Sequence, residues 1–127
     1  MTQLSVLLGA FGGLTGVIFG AFGAHALRNR FDGYSMGVFE TAVQYQFYHS
    51  LALVAVGLLL LSSPNSGLLR LSTAMFALGI VLFSGSLYLL SFTGTKWLGA
   101  ITPLGGLAFI VGWASLALAA FKIGSPQ

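Results

Sequence analysis

Two things are scarce in this chain: cysteine and charge. None of its 127 residues is cysteine. That excludes disulfides, thiolate nucleophiles and Cys-ligated zinc or iron–sulfur centres, and it leaves the redox compartment unread. Five basic and two acidic side chains make up 6% of the residues, against roughly 25% in an ordinary soluble domain. So few charges cannot keep a globular surface of this size in water. The five cations give a net charge of +3 but never form a run, so they fit loop and interface anchors better than a nucleic-acid footprint. Motifs are scarce as well. The chain has no H-x-x-x-H or H-E-x-x-H spacing, no G-x-S-x-G, and no glycine loop followed by Lys-Ser/Thr. It therefore reads as holding no metal and no cofactor, and as not an enzyme.

What is present is apolar. The hydrophobic class makes up 57% of the chain and the mean hydropathy is +0.96. This composition identifies an integral membrane protein, and the length fits one domain. The first run, Leu4 to Leu27, carries no charge and extends roughly 36 Å as a helix, enough to cross a hydrocarbon core of about 30 Å with some tilt. Ala24-His25-Ala26 has the shape of a signal-peptide cleavage site, but Met-Thr-Gln offers no positive n-region, so the run is expected to stay as a span. Arg28 to Gly37 reads as a loop. A second helix is expected over 38–61, a turn over Ser62 to Gly67, a third helix over 68–92, and a tight connection at Thr93-Gly94-Thr95-Lys96. The fourth helix falls within 98–121. Thr102 would act as N-cap with Pro103 at the first helical position, or else the helix starts near Trp97 and kinks at Pro103. Lys122 closes the span and Gly124 to Gln127 is a short tail. Four such helices with short loops make an all-α up-down bundle. Arg28, Arg30 and Lys96 outnumber Arg70 and Lys122 across the membrane, which leans both termini to the outside.

Two segments stand out. The first helix carries Gly9, Gly12, Gly13, Gly16, Gly20 and Gly23, including three G-x-x-x-G pairs. Such a row lets another helix backbone approach closely, either the second or fourth helix of the same chain or a second copy. The second helix holds Glu40, Thr41, Gln44, Tyr45, Tyr48 and His49 within ten residues, spread over roughly half its circumference. Phe39, Val43, Phe47 and Leu51 fill most of the other half, interrupted by Gln46 and Ser50. A polar face inside a membrane is expected to turn toward its sister helices rather than toward lipid. His25 and Glu40 flank the first loop at similar depth, so a hydrogen bond or ion pair between them is expected, with Arg28 as a competing partner. The plainer use of such a pair is a clamp on the hairpin; the functional use is proton movement. His49 lies roughly 13 Å deeper than Glu40, too far from the level of His25 for intrachain haem ligation.

Three strings carry a resemblance. Gly20-Ala21-Phe22-Gly23-Ala24-His25-Ala26-Leu27, the run Phe39 to His49, and Ile101-Thr102-Pro103-Leu104-Gly105-Gly106 resemble the domain-of-unknown-function 423 family. These are YgdD-like small inner-membrane proteins, to which the eukaryotic transmembrane protein 256 is similar. The resemblance covers essentially the whole chain. It implies a small four-helix protein of the bacterial inner membrane, if the source is bacterial, and carries no activity or catalytic residues with it. The residues favour a protein that acts by helix–helix association, with itself as a homo-oligomer or with a larger membrane complex, among membrane lipids and without nucleic acid. A small proton-coupled transporter or channel using Glu40 and His25 is the alternative, by fold-level analogy alone. Lipid or hydrophobic-ligand binding between the second and fourth helices is a third reading.

Overall fold

A charge-free stretch of 26 residues, Thr2–Leu27, forms the first helix, α1. The structure is a computed structural model that describes residues 1–123, so the tail expected at 124–127 lies outside the described residues. After α1 come α2 (Gly33–Ser62) and α3 (Gly67–Thr93). A 3₁₀ turn, Lys96–Ala100, then leads into α4 (Thr102–Ala120). All four helices, the last taken together with its 3₁₀ turn as Lys96–Ala120, are long and apolar enough to cross a membrane. The protein is an all-α, four-helix membrane bundle, and no strand occurs among the described residues.

The helices pack in chain order, α1 chiefly on α2 and α4 chiefly on α3, with α2 and α3 in the middle. Lipid gives no hydrophobic drive between helices, so close packing must hold them. Glycine provides it. A Cβ at Gly9 would lie 2.6 Å from the Ser50 carbonyl oxygen, and one at Gly12 would collide with Ser50 Oγ. Gly16 faces Phe47 and Gln46, Gly20 faces Val43, and Gly23 faces Phe39. Gly57 on α2 returns the contact by receiving Val6. The glycine row therefore serves packing inside the chain. Gly13 alone in the row meets nothing within 4 Å. The same device joins α3 to α4, where Gly79 lies against the Phe109 ring, Gly105 against the Phe83 backbone and Gly112 against the Phe76 ring.

This antiparallel register puts Gln46 to His49 near mid-depth and Glu40 about 4 Å inside the hydrocarbon edge, taking 1.5 Å per residue and a core of about 30 Å. Both helices that flank α2 widen into a π-turn at the depth of Ala42 and Val43. In α1 the turn is Phe19–Gly23, with Gly20 against Val43; in α3 it is Ile80–Ser84, and Ser84 Oγ donates to the Ala42 carbonyl at 2.8 Å. Below them the apolar core gathers Leu53, Val56 and Leu60 of α2 with Leu69, Phe76, Phe109 and Ala119.

Two expected boundaries are corrected. Helix α2 starts at Gly33, inside the segment read as a loop to Gly37, because Asp32 caps it: its carboxylate accepts from the Ser35 N–H at 2.7 Å. The Thr102 hydroxyl does not cap α4. Ile101 is already helical (φ −77°, ψ −32°), so the chain enters α4 straight from the 3₁₀ turn. That leaves the hydroxyl to pair with Ser86 Oγ at 2.6 Å, while Pro103 sits in the first turn as the second helical residue, one place later than expected. Helix α3 closes on Gly94, whose positive φ of 69° favours glycine and whose N–H returns to the Leu90 carbonyl at 2.8 Å.

Gly12→Val is expected to force α1 off α2 and destabilise the protein by about 1–3 kcal/mol, whereas Gly13→Ala leaves stability unchanged or raises it. Thermal unfolding in detergent micelles separates the two. The backbone bond from Ser35 also holds the Asp32 carboxyl below its ordinary value. The cap's contribution is therefore complete above that ordinary value and fades as pH falls through the lowered one. Hydrogen exchange at the Ser35 amide, compared between pH 6 and pH 3 after correction for intrinsic rates, is expected to lose protection at the acid end.

Candidate functional site

The inward face of α2 follows a 3-4 spacing, Phe39, Ala42, Gln46, His49, Leu53, Val56, Leu60, all of them buried. This is the seam of a left-handed helix pair, and its two mid-depth members are polar. Gln46 Nε2 donates to the Gly12 carbonyl at 2.9 Å and to Thr15 Oγ1 at 2.7 Å. Its Oε1 accepts from the Tyr88 hydroxyl at 2.6 Å. One carboxamide thus joins α1, α2 and α3.

His49 is 5% exposed and uses both ring nitrogens. Trp113 Nε1, which can only donate, reaches His49 Nε2 at 3.0 Å. The ring proton therefore resides on Nδ1 and is donated to the Tyr45 carbonyl at 2.7 Å. The neutral imidazole lies flat on the Phe109 ring, 3.5 Å between centroids, and ties α2 to α4. Further hydroxyls close the set. Ser5 donates to the Leu53 carbonyl at 2.6 Å, Ser72 to the Gly112 carbonyl at 2.9 Å, and Thr73 to Ser5 Oγ at 3.2 Å. No fully buried side-chain nitrogen or oxygen among the described residues lacks a partner.

The expected polar face is therefore corrected. Of its six residues only His49 is buried, and Thr41 is half-buried with its hydroxyl turned back to the Gly37 carbonyl at 3.0 Å. Glu40, Gln44, Tyr45 and Tyr48 are exposed, Tyr48 by 54%. Tyr45 keeps one ring face on Phe83, 4.5 Å between centroids. The two residues read as interruptions, Gln46 and Ser50, are buried alongside His49. The reason is spacing: α2 puts the 3-4 seam inward, and Glu40, Gln44 and Tyr48 project from the opposite side. Glu40 and Gln44 line a shallow groove with Gly20 and Ala24 of α1. The expected His25–Glu40 contact does not form. Both residues are exposed, and among the described residues neither side chain has a hydrogen bond or ion pair, with each other or with Arg28. Gln44 likewise has no side-chain hydrogen bond.

Sequence reasoning missed Thr15, Gln46, Ser50, Tyr88 and Trp113. The signal for the α2 members was the 3-4 spacing itself. For Thr15, Tyr88 and Trp113, on other helices, no local pattern pointed to the contact. No group of three or more His, Asp or Glu that could hold a metal ion occurs among the described residues.

Known proteins resemble this sequence. The family model described as protein of unknown function DUF423 matches residues 19–106. The UPF0382 membrane protein YwdK of Bacillus subtilis is 49% identical over 123 residues, covering 94% of this chain and 98% of that one. The UPF0382 membrane protein SSP2132 of Staphylococcus saprophyticus is 44% identical, covering 95% and 99% of the two chains. A UPF0382 membrane protein of Haemophilus influenzae is 40% identical, covering 96% and 97%. No solved structure matches the chain.

Tyr88→Phe removes the donor from Gln46 Oε1 and is expected to cost about 1–2 kcal/mol, the range for a buried acceptor left without its donor. In the Gln46→Leu background the same change should cost far less. A double-mutant cycle on unfolding in mixed micelles measures the coupling.

Proposed function

The chain belongs to the DUF423 family, and from that premise we propose that this small membrane protein works by association, docking the outward face of α2 on a partner within the bilayer. One observation carries the reading. Glu40, Gln44 and Tyr48 project from a membrane-spanning helix in a row at i, i+4, i+8, and among the described residues the chain offers their polar ends no hydrogen-bond partner. Hydrocarbon offers none either. A carboxamide roughly 10 Å inside the hydrocarbon edge is costly alone and favourable when another helix answers it.

In this reading the protein is not an enzyme: its interior polar groups are fully engaged in holding the helices together. The proton-carrier alternative loses support because His25 and Glu40 do not meet. On this reading the membrane is the inner membrane if the source is bacterial; helical spans support that, since outer-membrane spans are β-barrels, and bacterial relatives are named membrane proteins. Arg28, Arg30 and Lys96 lie at the loop end away from the termini, which favours termini outside.

A photo-crosslinking amino acid in place of Gln44, activated in native membranes, is expected to form protein adducts. The same group at Ile110, exposed on the apolar face of α4, is expected to label lipid. Lipid labelling alone at Gln44 would sink the association reading.

A further inference from the structure

We infer that the partner of this face is a second copy of the chain, docked α2 against α2 about a twofold axis along the membrane normal. The inference rests on the association reading above and names its partner. The row continues past Tyr48 through Leu51, Ala55 and Leu58, all exposed. From Glu40 to Leu58 it covers roughly 27 Å, nearly the full hydrocarbon thickness.

The chemistry of the row is self-complementary. Copies inserted in the same orientation bring like residues to the same depth. Gln44 then meets Gln44 of the second copy, and a carboxamide both donates and accepts, so the pair satisfies itself. Tyr48 likewise meets a hydroxyl that donates and accepts. Ala55 lets the backbones approach where the row turns apolar. An unrelated partner would have to present an amide and a hydroxyl at the same two depths. The helices are joined by short connections, 28–32, 63–66 and 94–101, so these loops offer little surface outside the membrane for recruiting one.

Glu40 is the one residue in the row that does not pair with its own copy. Of the row's polar residues it lies nearest the boundary, where headgroup water reaches its carboxylate, and the twofold sets it close to a like charge. The geometry thus gives two substitutions opposite effects. Gln44→Leu removes the self-satisfying pair and is expected to weaken dimerisation about three- to tenfold. Glu40→Gln removes the repulsion and is expected to strengthen it. Förster transfer between labelled copies, titrated against lipid in liposomes, reads both.

The absence of native cysteine makes a covalent test clean. Single cysteines at Gln44, Tyr48, Leu51 and Ala55, oxidised in native membranes at low expression, are expected to give disulfide-linked pairs of twice the chain mass. A cysteine at Ile110 should give none. Adducts from the row that contain only a different protein would overturn the second-copy inference and leave the association reading standing. No adduct at any row position would overturn both. Equal linkage at Ile110 would mean random collision and would also overturn the inference, as would a Gln44→Leu variant that pairs as tightly as the parent.

Discussion

Hydrocarbon supplies no hydrogen-bond partner, and α2 answers that constraint differently on its two sides. Inward, Gln46 spends its carboxamide on the Gly12 carbonyl, Thr15 and Tyr88, and His49 is locked between Trp113 and the Tyr45 carbonyl. Outward, Gln44 has nothing to answer it among the described residues of its own chain. Two glutamines two residues apart on one helix, one buried and one exposed, mark what the fold completes and what, in the association proposed above, it leaves to another molecule.

The glycine row and the buried amide act as a single device. Gln46 reaches the Gly12 carbonyl only because α1 lies close against α2, and that approach exists only because Gly9 and Gly12 carry no side chain toward Ser50. A larger residue in the row would therefore take away the packing and strand the carboxamide as well. The converse also holds: without a polar anchor near mid-depth, a smooth glycine surface would let α1 slide along α2. Shape permits the approach, and the hydrogen bond chooses its register.

Much of this architecture was legible in the residues. Charge scarcity and apolar length announced four spans, because the hydrocarbon thickness sets a minimum that few other structures need. The glycine spacing announced close helix packing. The orientation of α2 was not legible from counting polar side chains. In water the polar face points out and the apolar face in, but in lipid both faces can be apolar and polarity no longer says which is which. Spacing does say: Phe39, Ala42, Gln46, His49, Leu53, Val56 and Leu60 keep the 3-4 rhythm of a buried seam, and Glu40 and Gln44 fall outside it. The early start of α2 was missed because Asp32 was read as loop when its carboxylate is a cap. Tyr88 and Trp113 were out of reach, since a contact 42 or 64 residues away along the chain leaves no local periodicity to read.

The buried hydroxyls show how tightly the interior is closed. Ser5, Ser72 and Ser84 each donate to a backbone carbonyl of a neighbouring helix. A carbonyl has a second lone pair to give, so these bonds tie helices together without taking any intrahelical bond away. With every fully buried side-chain polar atom among the described residues partnered, rearranging the interior would break several such bonds at once, and hydrocarbon offers nothing to replace them. Such a bundle is poorly suited to opening a path through its own centre and well suited to presenting a fixed surface. Polar chemistry free to act within the membrane is then found where the fold leaves it, along the outer side of α2.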